Sequence, residues 1–181
     1  MEISKYNNIA ELFIDRCKIS DKFNKPAFRY KEKEQWVDLS HTELKDKVIC
    51  LAVSLLELGI RKGDRVGLIS ENRIEWIISS FAINMIGAID VPLFPILASK
   101  QIEAIFNDCS ASAVIVSNNF QLAKILEFKD RPNSLRQIII MNDDLSYDDI
   151  FIHKLSYLIQ RGCEVRKKEE RIKIIKEQVE K

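Results

Sequence analysis

The chain has 181 residues, 46% of them hydrophobic and 30% charged, with 28 basic against 27 acidic side chains and a formal charge of +1. That length suits one domain with an appendage, and a chain of this size buries about two-thirds of its unfolded surface on folding. Near-neutrality argues against a general nucleic-acid binder, and the composition against both a disordered chain and a membrane-embedded one.

In chain order, Ile9, Leu12, Phe13 and Cys17 share one face of a first helix. Two short runs, Ala27–Lys31 and Gln35–Leu39, carry Phe28, Tyr30 and Trp36 and read as a hairpin. Ser40 and Glu43 then form a capping box, and Leu44, Val48, Ala52 and Leu55 continue that helix until Gly59 ends it. From residue 64 the character changes. Apolar runs at Val66–Ile69, Ile89–Leu93, Ala113–Val116 and Ile138–Met141 alternate with helical segments near 72–87, 99–109 and 119–128. Runs without polar alternation suit strands buried on both faces of a parallel sheet. The fold class is therefore α/β, a mostly parallel sheet with flanking helices, preceded by a helix and a hairpin. Asn72 with Glu75 marks one helix start and Ser99 another. The helices are expected to leave part of a face or an edge of this sheet bare, a template for association.

Beyond Asn142 the pattern shifts to a helical tail. Ser146 with Asp149 can open a helix through Phe151, Leu155 and Leu158, interrupted at Gly162. Residues 161–181 hold 8 basic and 5 acidic side chains around a thin stripe of Ile172, Ile175 and Val179, a solvated helix that docks weakly. The division is 1–142 for the α/β portion and 143–181 for the connector.

Chemistry is scarce at this level. Cys17, Cys50, Cys109 and Cys163 form no C-x-x-C pair and read as reduced, buried or half-buried thiols. His41 falls in the first turn of a capped helix and His153 in a late helix, with no G-x-S-x-G to serve. The acidic pairs Asp143-Asp144 and Asp148-Asp149 flank a helix start, where the helix dipole favours negative charge, and do not read as a metal site. Gly59, Gly63 and Gly67 precede and enter a strand, so they make a helix stop and a turn instead of a phosphate cradle. The apolar stretch Ile74–Leu97 is broken by Glu75, Asn84, Asp90, Pro92 and Pro95, too often for a membrane span. No catalytic, cofactor-binding or metal-binding residue is assigned, and a non-catalytic interaction domain stands as the alternative function. The N-terminus has no apolar signal core, which suggests the cytoplasm.

Leu58–Val66, Ser70–Trp76 and Gly87–Leu93 follow one another at the spacing of adenylate-forming enzymes. Pro95, Leu97, Gln101-Ile102 and Ile105–Asp108, with Lys25–Tyr30, Trp36 and Thr42–Leu44 upstream, extend that pattern over residues 9–141. The chain resembles the N-terminal part of bacterial AMP-forming long-chain acyl-CoA synthetases. Phe94, Ile96 and Ala98-Ser99 depart from that subgroup. The resemblance implies a fatty carboxylate, ATP and coenzyme A as substrates of a complete enzyme, with Mg²⁺ on the phosphates, in a cytoplasmic or membrane-peripheral protein. It implies no catalytic residue here, because the family's phosphate loop ends in Pro-Lys-Gly and Pro-Lys does not occur in this chain. The expectation is an incomplete AMP-binding domain, inactive alone, whose remainder a continuation or a partner polypeptide supplies.

Overall fold

Strands that are apolar at every position need cover on both faces, and the computed structural model provides it. The structure describes residues 6–20, 25–32, 34–130, 132–144 and 150–166, with Lys173 and Glu177. Helix α1 (Ile9–Ser20) leads into an antiparallel hairpin, β1 (Phe28–Glu32) and β2 (Gln35–Leu39), with Phe28 opposite Leu39. Helix α2 (His41–Glu57) starts at Ser40, whose hydroxyl accepts from the Glu43 amide while the Glu43 carboxylate accepts from the Ser40 amide at 2.9 Å. That reciprocal pair satisfies two of the free amides of the first turn. Gly59 and Gly63, at φ of 84° and 81°, take the left-handed turns that end α2 and enter the sheet.

Five strands follow, β3 (Arg65–Ile69), β4 (Ile89–Leu93), β5 (Ala113–Val116), β6 (Gln137–Ile140) and β7 (Ile152–Lys154), all parallel. Their order is β4-β3-β5-β6-β7, so the chain moves outward once and then reverses across β3. With crossovers of one hand, that reversal sends helices to opposite faces. Helices α1, α2, α3 (Ile74–Met85) and α6 (Leu155–Val165) pack over Val66, Leu68, Ala113, Ile115 and Ile139. Helices α4 (Ser99–Cys109) and α5 (Asn119–Leu126) pack over Ile69, Val114, Val116, Ile138 and Ile140. Each such side chain, fully buried, stabilises the fold by about 1.5–3 kcal/mol. Both faces are thus covered, contrary to the expectation of a bare face. Exposed large hydrophobics include Phe94 and Ile96 on the loop after β4, which Lys124 ties to α5, and Phe120 on α5 itself.

Five readings of the sequence are corrected. Gly162 does not interrupt the late helix, since α6 runs through it from Leu155 to Val165. Residues Ile152–Lys154 are a strand and not part of a late helix, so His153 lies in β7, its Nε2 2.8 Å from Gln137 Oε1 on the neighbouring strand. Asn72 does not cap α3: the residue before that helix is Arg73, which offers no side-chain cap. Ser99 is already inside α4, and its hydroxyl donates to the Lys124 carbonyl at 2.7 Å. Finally, Cys50 and Cys163 are joined as a disulfide across 113 residues of sequence, while Cys17 and Cys109 are not disulfide-bonded. The proposed Ser146/Asp149 helix start, the Asp148-Asp149 pair and most of the charged tail lie outside the described residues.

Candidate functional site

In a doubly wound sheet, ligands bind beyond the carboxyl ends of the strands where the order reverses. Here that point lies between β3 and β5, and the loop after β3 runs Ser70-Glu71-Asn72-Arg73 without a glycine. Arg73 fills the crevice. Its Nε donates to Glu75 at 2.8 Å, and its Nη1 to the Ser117 carbonyl at 3.3 Å and to Asn142 Oδ1 at 3.0 Å. One side chain thereby ties together the ends of β3, β5 and β6.

Beside this network opens a cleft of about 870 Å³. The hairpin supplies Tyr30, α2 supplies Lys47, the β3–α3 turn supplies Glu71 and Arg73, the start of α3 supplies Glu75, and α6 supplies Leu155, Ser156 and Ile159. Asp143 closes one side, held by the Ser156 hydroxyl through its carboxylate and by Lys154 Nζ through its carbonyl. Burial pushes the Glu75 carboxyl up, but its bond to Arg73, its own backbone amide and the charges of Arg73 and Lys47 together outweigh this and leave it below the usual range. Glu71 is also held low, chiefly by the nearby Ser117 hydroxyl and its own backbone amide. Burial, together with Glu32, Glu75 and Glu43, pushes the Tyr30 phenol up. The cleft therefore presents carboxylates and cations in near balance over an apolar floor, with its arginine already neutralised.

The guanidinium at the crevice is spent on Glu75, and among the described residues no group of three or more His, Cys, Asp or Glu is placed to hold a metal ion. The motif residues divide accordingly. Leu58–Val66 builds a turn and a strand, and Gly87–Leu93 an edge strand, whereas Ser70–Trp76 carries the polar network that lines the cleft. The spacing of Asn72 and Glu75 suggested a cap. The available signal for the cleft was the charged run Glu71–Glu75 directly after a buried strand.

Residues 18–171 match the family described as AMP-binding enzyme. The chain belongs to that family. The long-chain-fatty-acid–CoA ligase of Salmonella typhimurium is 30% identical over 145 residues, which is 76% of this chain and 26% of that protein. FadD15 of Mycobacterium bovis, also named a long-chain-fatty-acid–CoA ligase, is 28% identical over 104 residues, 58% of this chain and 17% of its own length. This member of the family thus spans about a quarter or less of those two curated relatives. Among solved structures, the anthranilate CoA ligase AuaEII in complex with anthranoyl-AMP superposes with a TM-score of 0.71 at 21% identity, covering 88% of this chain and 30% of that one. The N-terminal domain of FACL13 from Mycobacterium tuberculosis gives 0.67 at 23% identity, over 84% and 35%. These two likenesses establish the fold of the family's N-terminal region for this chain. Among the described residues no helix is long and apolar enough to cross a membrane.

Proposed function

We propose that this chain is the N-terminal α/β layer of an ATP-dependent, AMP-forming fatty acid–CoA ligase, and that it does not adenylate carboxylates alone. The family match over residues 18–171 carries the reading, and the relatives named for long-chain fatty acids support the substrate class. In such a reaction a carboxylate attacks the α-phosphorus of ATP, pyrophosphate leaves, and the thiol of coenzyme A then takes the acyl group. The first step develops charge on phosphate oxygens, so it needs fixed donors or cations around them. At the crevice of this layer Arg73 is already paired with Glu75, and the sequence lacks Pro-Lys. Its role is to hold the ends of β3, β5 and β6 in register, so that a further segment, in cis or on a partner polypeptide, brings the phosphate-binding groups. A free-standing interaction domain is the less favoured reading.

Pyrophosphate–ATP exchange with fatty acids of several lengths tests this. The chain alone should match a no-enzyme control, and a polypeptide carrying the family's phosphate loop should restore exchange when added. Fatty-acid-dependent exchange by the chain alone would overturn the claim of inactivity. Failure of every such complement to bind the chain would favour the free-standing domain.

A further inference from the structure

The Cys50–Cys163 bond joins two helices that already touch without it. Along the α2–α6 seam the Ser54 hydroxyl donates to the Leu158 carbonyl at 2.6 Å. One turn later α6 passes so close to α2 that a Cβ on Gly162 would lie 1.8 Å from the Cys50 carbonyl oxygen. At that crossing the two cysteine Cα atoms are 4.7 Å apart. The anchoring is uneven. The buried residues of α6 are Leu155, Leu158 and Gly162, and beyond them the last turn is held by the partly buried Val165, the disulfide and the partly exposed Arg166–Asp46 ion pair, at 2.7 Å.

The two sulfurs also differ in access. Cys50 is fully buried in α2, whereas Cys163 is exposed. We propose that Cys50 and Cys163 form a reversible thiol–disulfide staple, which locks the α6 wall of the cleft when oxidised and frees its last turn when reduced. A low-molecular-weight thiolate attacks the exposed sulfur of Cys163, the protein S–S bond breaks, and Cys50 leaves as a thiolate that takes a proton from water. A second thiol then attacks the external sulfur of the mixed disulfide, giving the oxidised small disulfide and the free Cys163 thiol. Overall, two small thiols are oxidised as one protein disulfide is reduced.

Reversal is favoured by geometry. The Ser54–Leu158 bond and the Gly162 approach keep the helices together after reduction, so the thiols stay within bonding range. Cys109 is a built-in contrast, since burial pushes its thiol up and leaves it a weaker competitor for exchange. The consequence reaches the cleft because Leu155, Ser156 and Ile159 of the same helix line it.

Peptide mapping of the unreduced chain, alkylated in denaturant, should show Cys50 linked to Cys163 and both Cys17 and Cys109 alkylated. Amide hydrogen exchange is then compared in oxidised glutathione, in reduced glutathione and in Cys163→Ser. Exchange over 162–166 should be about tenfold or more faster in the reduced protein and in the variant, with α4 and α5 unchanged. Returning the reduced wild type to oxidised glutathione should restore protection, while the variant should not respond. Alkylation of all four cysteines in the unreduced protein overturns the staple. So does unchanged exchange in α6 on reduction, or an equal loss of protection across the whole sheet. Because reduction is applied to the wild type, a variant that fails to fold leaves the test intact.

Discussion

The two faces of the sheet are packed by different means. On one, α1, α2, α3 and α6 spread burial over many aliphatic side chains, add the stacked Phe13–Phe81 pair at 4.2 Å, and are cross-linked through Cys50 and Cys163. On the other, α4 buries only Ile102 and Phe106, and the Phe106 ring lies directly over Gly67 in β3. Both faces use a glycine for close approach, but toward different neighbours. A Cβ on Gly67 would meet the tip of a side chain at 2.3 Å, whereas a Cβ on Gly162 would meet a backbone carbonyl at 1.8 Å. The seat of α4 on the sheet thus depends on few side chains, one of them a large ring, and that concentrates the risk there.

The strongest way to break that comparison is Phe106→Ala. Phe106 is fully buried and sits edge-on to Phe128 with ring centroids 6.0 Å apart. Its removal takes away the main contact between α4 and the sheet. A loss of about 3–5 kcal/mol is expected from urea denaturation. A loss under about 1 kcal/mol would mean that α4 settles onto Gly67 and that the face does not depend on the ring.

The glycines sharpen the contrast. Gly162→Ala should gain about 1 kcal/mol in helix propensity, yet the helices must separate, and the net loss should be about 1–3 kcal/mol. Gly67→Ala forces the Phe106 ring aside, so its cost should shrink when Phe106→Leu is combined with it. A double-mutant cycle should show coupling of at least about 0.5 kcal/mol between 67 and 106. No shorter side chain relieves Gly162, because its obstacle is backbone. Additivity at 67 and 106 would show that the close approach is not what limits that site.

What the sequence made legible follows the range of the forces involved. The hairpin, the Ser40/Glu43 cap and the strands at 66–69, 89–93, 113–116 and 138–141 are set by neighbours a few residues apart, and the structure has them at those places within a residue or so. Strand β7 escaped because Ile152–Lys154 is too short to display a period, and Phe151, Leu155 and Leu158 continue a helical one. The disulfide escaped because its cysteines meet only once α6 lies along α2. The cleft was not legible. Ser70–Trp76 stood out only for its family-like spacing, and the anchor of Arg73 at Asn142 lies 69 residues away. Spacing made Glu75 resemble a capping residue, whereas its carboxylate accepts from Arg73 two residues before it.

The smallest effect expected comes from that network. Glu75 is 30% exposed and its partner Arg73 29%, so their bond is partly shielded from water on the larger face of the sheet. Burial alone would raise the Glu75 pKa, yet the Arg73 bond, the backbone amide and the nearby cations together win and the folded-state value lies below the ordinary one. A depressed carboxylate pKa contributes stability that is present above the unfolded value near 4.5, and lost as pH falls through the folded value. Arg73 is raised from an already high value, so it adds no titration of its own in this window. Glu75→Gln keeps the side-chain size and removes the charge, and should cost about 1 kcal/mol or less at neutral pH. Thermal melts of wild type and variant should differ at pH 7 and converge as the pH is lowered through the carboxylate range. A gap that stays constant to low pH would mean that Glu75 acts through packing. Arg73 would then owe its place to Ser117 and Asn142, and the ion pair would contribute nothing to this end of the sheet.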